Sequence, residues 1–371
     1  MSEPSPDAAP AAAPQATLDG RVDESRGLSY PCGEPPAAGL AREVAPGVLW
    51  LRMPLPFSLN HINLWAIRDE WEGQPAWSVV DTGTQTAPTA TAWRQLLGEG
   101  GALHGAPLAR VFVTHMHPDH VGMAGWLRRR TGATLCMTRL EYTTCRTLVS
   151  DTGREAPQDG IDFYRRAAWS DAALDHYRAR FGGFGKLVYA LPDSYRRLRD
   201  GDSLRIGAHD WQVVVGNGHS PEHACLVCDD LKVMISGDQV LPRISSNVSV
   251  FPTEPDADPL GDWLGSIERL RRDLSDDLLV LPAHGDPFRG LHARLDRLHA
   301  GHLRSLERLR RTLAQPRKVP EVFGALFARP IDDDLLSLAT GESLAHLNYL
   351  MARGEARRET AADGVDRYRM V

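Results

Sequence analysis

The 371-residue sequence has no apolar run close to the roughly 18 residues that a membrane-spanning helix needs. Its first residues lack the basic and apolar regions of a secretory signal. It has only five cysteines, an odd number that gives no disulfide framework and suits a reducing compartment. These absences argue against a membrane protein and a disulfide-stabilised secreted domain, and we expect a cytoplasmic protein.

Two of the cysteines, Cys225 and Cys228, form a C-x-x-C pattern. They fall inside a predicted strand, where positions i and i+3 point to opposite faces of the sheet. Because no second pair completes a zinc site, we expect neither a redox nor a metal role for them.

Composition and length indicate a globular protein with one large domain and a smaller one. Residues 1–40 are rich in Ala, Pro and Ser, and we predict a disordered arm there. We predict a catalytic domain over 41–288 and a second domain over 289–371. The net charge of −6 divides unevenly, because residues 289–371 carry 15 Lys and Arg against 11 Asp and Glu, whereas the first 288 residues carry 27 against 37. An acidic catalytic part disfavours a polyanionic substrate.

The most informative stretch is His115-Met116-His117-Pro118-Asp119-His120. It follows the apolar run 108–113, which is typical of a buried strand, and precedes a predicted helix. Chemistry in α/β proteins is concentrated on such strand-to-helix loops. Imidazole nitrogens and carboxylate oxygens are ligands that suit a borderline divalent ion such as zinc. Three histidines and one aspartate within six positions therefore predict a metal site.

Three further ligand-type residues repeat this pattern, because His219, Asp238 and His284 each stand just after a predicted strand and beside small residues. Small residues are expected where the main chain must approach an ion closely. His223 and His61 are more consistent with structural or supporting roles than with metal ligation.

At this point the sequence resembles the metallo-β-lactamase superfamily, and in particular its glyoxalase-II-like and lactamase-like hydrolases. The resemblance rests on His115-x-His117-x-Asp119-His120, followed by His219, Asp238 and His284, with the turn at Asp81-Thr82-Gly83 upstream. It implies an α/β fold, the αβ/βα sandwich of two mixed sheets with metals at one edge.

The resemblance also implies roles for these residues. His115, His117 and His219 would hold one divalent ion, Asp119, His120 and His284 would hold the other, and Asp238 would bridge them. A bridging hydroxide would attack the substrate, and Asp119 would also orient it and move its proton. The ions would most simply be Zn²⁺, and Asp81 would accept a hydrogen bond from a ligand histidine.

The superfamily hydrolyses several kinds of substrate, so the fold alone does not select one. The aspartate at 238 argues against antibiotic hydrolysis, and the full set of seven ligands argues against the single-iron dioxygenases. Met123 after Gly122, together with Glu222, departs from the glyoxalase-II pattern, although not from acyl hydrolysis.

The last part of the chain predicts a long helix ending before Pro316, two more helices over 319–327 and 334–352, and a small β-wing over 354–371. This resembles the winged-helix tail of one branch of lactamase-like hydrolases, some of which are ribonucleases. Because Asp332-Asp333-Asp334 interrupts the basic face, we favour packing or homodimer formation over nucleic-acid binding.

Two functions are therefore carried forward. The first is hydrolysis of a small ester, thioester or lactone, and the alternative is a metal-dependent endoribonuclease or phosphodiesterase. A regulatory protein with a vestigial site is disfavoured because all seven ligands are present. For substrate binding we single out Arg243 and Asn247, on the segment that leaves Asp238, and Tyr142, in the helical insertion.

Overall fold

A computed structural model describes residues 21–57 and 59–371. The predicted disordered arm lies outside the described residues as far as residue 20, but its second half is ordered. There β1 (Arg21–Asp23) and β2 (Leu28–Tyr30) form an antiparallel hairpin. Leu28 and Tyr30 are buried, and Ser29 pairs through its main chain with Arg289. The prediction of disorder is therefore wrong from residue 21 onward, because buried side chains and strand pairing offset the entropy of ordering.

The first large sheet has seven strands, and their order in space is their order in the chain. They are β3 (Ala41–Ala45), β4 (Val48–Pro54), β5 (His61–Trp71), β6 (Gln74–Val80), β7 (Leu108–Phe112), β8 (Thr134–Met137) and β9 (Arg196–Arg197). Pairing is antiparallel from β3 to β6 and parallel from β6 to β9. Four parallel strands, β6 to β9, therefore send their carboxyl ends to one edge.

Helices connect and cover these strands. They are α1 (Ala87–Leu97), α2 (Pro118–Val121), α3 (Ala124–Thr131), α4 (Arg139–Ser150), α5 (Gln158–Arg166) and α6 (Asp171–Arg180). The insertion between β8 and β9 contains α4, α5 and α6. Trp93, Leu127 and Cys145 of α1, α3 and α4 are buried in one core with the outer face of the first sheet.

The second large sheet has five strands in the order β10 (Ser203–Ile206), β11 (His209–Gly216), β12 (His223–Cys228), β13 (Val233–Gly237) and β14 (Leu279–Pro282). The last pair is parallel, and α7 (Pro259–Asp273) lies between its strands in the chain. Asp258 caps α7 by accepting a hydrogen bond from the Gly261 amide at 2.9 Å, and Pro259 occupies the first helical position, as predicted.

The two sheets pack face to face. Trp50 and Trp65 of the first sheet share an apolar core with Trp211 and Val213 of the second. Helices cover both outer faces, so the predicted αβ/βα sandwich is observed. Cys225 belongs to the outer core, which is the apolar core between the second sheet and the helices that cover it, and Cys228 belongs to the core between the two sheets. The two free thiols therefore point to opposite faces of the second sheet, as expected.

The C-terminal region consists of α8 (Leu291–Thr312), a 3₁₀ turn (Val319–Val322), α9 (Phe323–Leu326), α10 (Leu336–Ala352) and an antiparallel hairpin of β15 (Ala356–Thr360) and β16 (Asp366–Met370). The predicted long helix and further helices are thus present, and an antiparallel hairpin lies where the β-wing was predicted. Their apolar side chains join the outer core of the second sheet, so this region packs directly on the catalytic part. Across the described residues, no helix combines the length and apolar character needed to cross a bilayer.

Candidate metal centre

Four loops, after β7, β11, β13 and β14, bring the predicted ligand residues to one edge of the sandwich, and the loop after β7 leads directly into α2. Pro118 opens α2, so Asp119 and His120 lie in a short first helical turn and not in the loop itself. The other ligand-type residues follow their strands directly, as predicted. Because the strands end at a common edge, positions far apart in the chain converge.

One group of ligand atoms comes from His115, His117, His219 and Asp238, and these atoms all lie within 4.8 Å of one another. His115 Nε2 is 2.9 Å from His117 Nδ1 and 3.3 Å from His219 Nε2. Three imidazole nitrogens and a carboxylate oxygen thus face a common point, which is the donor set of a four-coordinate ion.

The second group comes from Asp119, His120 and His284, whose ligand atoms also lie within 4.8 Å of one another. Asp119 Oδ2 lies 3.3 Å from His284 Nε2 and 3.7 Å from His120 Nε2. This group lies beside the first, since His115 and His120 have ring centroids only 4.0 Å apart.

Asp238 contacts both groups. Its Oδ2 is 3.4 Å from His219 Nε2 and 3.5 Å from His120 Nε2, while its Oδ1 is 3.5 Å from His284 Nε2. A carboxylate between two sets of imidazoles is the arrangement expected of a bridge, and the two clusters are consistent with a binuclear metal site.

In His120, His219 and His284, the nitrogen opposite the cluster has a defined partner. His120 Nδ1 donates to Asp81 Oδ2 at 2.7 Å, His219 Nδ1 to the Asn247 carbonyl at 2.7 Å, and His284 Nδ1 to the His61 carbonyl at 2.9 Å. These bonds place the proton on Nδ1 and leave Nε2 as the electron-pair donor toward the cluster.

Asp81 itself is held in a left-handed backbone conformation with φ 62°. Its carboxylate accepts hydrogen bonds from the main-chain amide and the hydroxyl of Thr114 at 2.8 and 3.0 Å. Asp81 thus lies behind His120 and accepts its Nδ1 proton, which is the hydrogen bond that the sequence predicts for it.

Charge in the cluster is set by burial and by the facing carboxylates. Burial lowers the pKa of His117 to about 3 and that of His115 well below its usual value. Burial also disfavours protonation of His120, but Asp81, Asp119 and Asp238 outweigh it and raise the pKa of His120. A positive charge is therefore favoured between the carboxylates, which suits a cation.

Two buried atoms test whether a metal fits. Within the described part of the chain, His120 Nε2 and Asp238 Oδ1 lack any hydrogen-bond partner. Buried polar atoms without partners are costly, and both of these atoms face the cluster. Divalent ions would satisfy both, so the residues present fit the metals that the sequence implies.

Three supporting residues were not predicted. Glu141, fully buried on α4, accepts from the Met116 amide, the Ser220 hydroxyl and the Glu222 amide at 2.7–2.8 Å. It thereby ties the loops that carry His117 and His219 together. A charged residue inside a predicted helix carries no local signal of this role.

Two further supports act on the other ligand loops. Arg294 is buried and donates to the carbonyls of Leu241 and Ile244, on the segment that follows Asp238. Asn63 donates from its side chain to the carbonyls of Pro282 and Gly285, on either side of His284. Each of these contacts joins residues at least 50 positions apart, so the sequence gives no local signal of it.

His223 has the structural role expected for it. Its Nε2 accepts from the Asp238 amide at 3.0 Å, and its ring stacks on His115 with a centroid distance of 4.7 Å. Gly237, at φ 50°, is required here because an added Cβ would lie 2.6 Å from the His223 ring. His223 thus supports Asp238 from behind.

The three residues predicted to bind substrate lie in different surroundings. Tyr142 is buried, stacks on Tyr195 and donates from its hydroxyl to the Pro192 carbonyl. The exposed Arg243 lies over the Tyr30 ring, 5.7 Å from its centroid. Asn247 is the one in contact with the centre, through the bond from His219. Substrate contact by these side chains stays a prediction.

Two protein-family profiles match this chain. The sequence profile of the Metallo-beta-lactamase superfamily matches residues 63–312, and the profile described as Metallo-beta-lactamase-like, C-terminal domain, matches residues 306–371. The chain therefore belongs to the metallo-β-lactamase superfamily, and it is a metal-dependent hydrolase of that superfamily.

Among individual proteins, a crystal structure of a beta-lactamase domain protein from Burkholderia ambifaria is 44% identical, with a TM-score of 0.85, and the match covers 93% of this chain and 98% of that one. The Bacillus subtilis protein named "Probable metallo-hydrolase YqjP" is 24% identical over 82% of this chain and 92% of its own length. The bovine acyl-coenzyme A thioesterase MBLAC2 is 27% identical over 67% of this chain and 81% of its own length.

Proposed function

We propose that the protein is a binuclear metal-dependent hydrolase that cleaves a small thioester, ester or lactone, with a thioester as the first choice. The single observation that carries this proposal is the position of Asp238 between two converging sets of ligand atoms. The similarity to an acyl-coenzyme A thioesterase supports an acyl substrate.

In this proposal His115, His117 and His219 hold one ion, Asp119, His120 and His284 hold the other, and Asp238 contacts both. We propose Zn²⁺ because histidine nitrogens predominate among the donors. When bound, the ions would supply Lewis acidity and a water molecule that is ionised near neutral pH. The loops around them fix the direction of each donor atom.

The two aspartates have different tasks. Asp238 is 10% exposed and offsets the positive charge of the centre from its middle. Asp119 is 19% exposed and sits beside His284, so its carboxylate reaches water more easily. We propose that Asp119 orients the attacking water and takes its proton, and that the leaving thiol or alcohol later receives a proton there.

The alternative is a nuclease, in which the C-terminal region acts as a winged helix on RNA. The acidic catalytic part and the Asp332–Asp334 run oppose a polyanion. This region packs on the catalytic part, and we propose that it serves this packing or a homodimer, and not nucleic-acid binding, in a cytoplasmic protein.

A substrate panel tests the proposal. Metal-replete protein would be given acyl-coenzyme A, acyl-glutathione, lactone and simple ester substrates beside a single-stranded RNA. We expect turnover of a thioester that is lost on chelation and regained when zinc is restored. Cleavage of RNA without acyl hydrolysis would replace the proposal with the nuclease, and activity that survives chelation would contradict both.

A further inference from the structure

Helix α10 of the C-terminal region lies against the loop that follows Asp238. The Val250 amide donates to the Gly341 carbonyl at 3.0 Å. Gly341 permits this approach, because a Cβ there would lie 2.7 Å from the Ser249 hydroxyl. One turn of α10 is thus fixed against residues 247–250.

Asn247 on this loop connects α10 with the metal centre. Its main-chain carbonyl accepts the 2.7 Å hydrogen bond from His219 Nδ1. Its side-chain amide donates to Glu342 Oε2 at 2.9 Å, and its Oδ1 accepts from the Ser249 hydroxyl at 2.5 Å. The side chain is therefore held at both ends, and its main chain positions a ligand histidine.

The carboxyl of Glu342 makes this contact at a desolvation cost. It is largely buried, and no Lys, Arg or His of the described chain forms an ion pair with it. Burial raises the pKa of its carboxyl to about 7, while the bond from Asn247 lowers it. A local cost of this kind points to a function for the residue that carries it.

We propose that Glu342 is a positioning residue of the metal centre: by fixing the Asn247 side chain it fixes the carbonyl that aims His219 at Asp238. The C-terminal region then helps to position a ligand of the metal centre, in addition to packing on the catalytic part. This inference rests on the proposed function, because it requires His219 to be a metal ligand. Loss of such outer partners lowers metal affinity by about 10- to 100-fold.

The test uses full-length variants Glu342→Ala, Glu342→Gln and Asn247→Ala. Glu355→Ala is the matched control, since Glu355 belongs to the same region but forms a surface ion pair with Arg310 at 2.7 Å. Zn²⁺ affinity is measured by competition with a chromophoric chelator. The visible spectrum of Co²⁺-loaded protein reports ligand geometry without any need for a substrate.

We expect Glu342→Ala and Asn247→Ala to weaken one Zn²⁺ site by about 10-fold or more and to shift the Co²⁺ spectrum. Glu342→Gln should recover most of the affinity, because its amide oxygen accepts the same hydrogen bond, and Glu355→Ala should match the wild type. The double variant Glu342→Ala/Asn247→Ala should lose no more affinity than either single variant.

Three results have distinct meanings. If the wild type binds no metal, the proposed function fails before the inference is reached. If the wild type binds two ions and Glu342→Ala has the same affinity and spectrum, the inference is wrong. Additive losses in the double variant would also overturn it. Should Glu342→Ala not fold, Asn247→Ala breaks the same contact from the other side and decides the question.

Discussion

Two groups of buried histidines in this protein differ in what faces them. In the metal centre, imidazoles face the carboxylates of Asp119 and Asp238, and the pKa of His284 is raised because these carboxylates outweigh its burial. Between α8 and α10, His302 and His346 face each other at 3.5 Å, beside the Ser245 hydroxyl and a main-chain carbonyl.

In the second group burial dominates, and it outweighs the hydrogen bond from His346 to the Glu342 carbonyl. It lowers the pKa of His302 to about 3 and that of His346 to about 4, with His299 and Arg308 nearby adding to the effect. A buried histidine pair is therefore a neutral packing element, whereas the same side chains with convergent carboxylates form a cation site. The facing carboxylates therefore distinguish the metal centre from the His302–His346 pair.

Asp238→Ala should remove the bridge from the centre. We expect activity to fall by about 1,000-fold or more, since several kcal/mol of charge stabilisation disappear, and metal content to fall with it. Elemental analysis and steady-state rates measure both, and circular dichroism checks that the chain is folded. An active Asp238→Ala enzyme would show that the bridge is misassigned.

Asp81→Asn should keep the backbone geometry, because asparagine tolerates the left-handed conformation at this position. It removes the negative charge behind His120, and we expect about a 10- to 100-fold loss of metal affinity or activity. Asp69→Asn is the matched control, as Asp69 is a buried aspartate paired with Arg110 at 2.5 Å. The control should lose stability but not metal affinity, and equal metal loss in both variants would refute a specific role for Asp81.

The pair His302 and His346 should make the free energy of unfolding depend on pH, and it should not affect metal binding. In the unfolded chain both histidines have a pKa near 6.5, whereas in the folded protein the pKa of His302 is about 3 and that of His346 about 4. As pH falls from 6.5 toward 4, the unfolded state therefore binds protons that the folded state does not bind, and the free energy of unfolding decreases. Between pH 7 and pH 5 this is up to about 2 kcal/mol per group.

The double variant His302→Gln/His346→Gln should therefore flatten the pH dependence of the free energy of unfolding, measured in chelator-treated protein. Its metal content at neutral pH should equal that of the wild type. An unchanged slope, or a loss of metal, would remove the distinction between the two histidine groups.

Arg243→Ala should have the smallest effect. If the contact with Tyr30 is its main role, KM for the best substrate stays constant, and the free energy of unfolding falls by about 0.5–1 kcal/mol. Kinetic assays and denaturant unfolding separate the outcomes. A raised KM with unchanged stability would instead assign Arg243 to substrate binding, as the sequence predicts.

The convergence of the seven candidate ligand residues was predictable because its signal is local and repeated. Four ligand-type residues fall within His115–His120, and His219, Asp238 and His284 each follow a strand beside small residues. Strand ends of a sandwich meet at one edge, so the fold needs no further information to bring them together. The strands and helices that carry them were predictable from apolar periodicity for the same reason.

Apart from Asp81 and His223, the residues that support the site were not predictable, since each joins distant positions through the hydrogen bonds of a single side chain. Glu141 reaches Glu222 across 81 positions, and Asn247 reaches Glu342 across 95. The hairpin at Arg21–Tyr30 was missed because Ala- and Pro-rich composition around it hid two residues, Leu28 and Tyr30, that are buried by distant helices. Composition averages over a segment, whereas burial depends on individual side chains.

Metal stoichiometry tests the central claim most directly. Metal-replete wild type, Asp119→Ala and His284→Ala would be analysed by elemental mass spectrometry after removal of free ions. We expect about two transition-metal ions per wild-type chain and about one in each variant. A single ion in the wild type, retained unchanged in both variants, would contradict the binuclear centre.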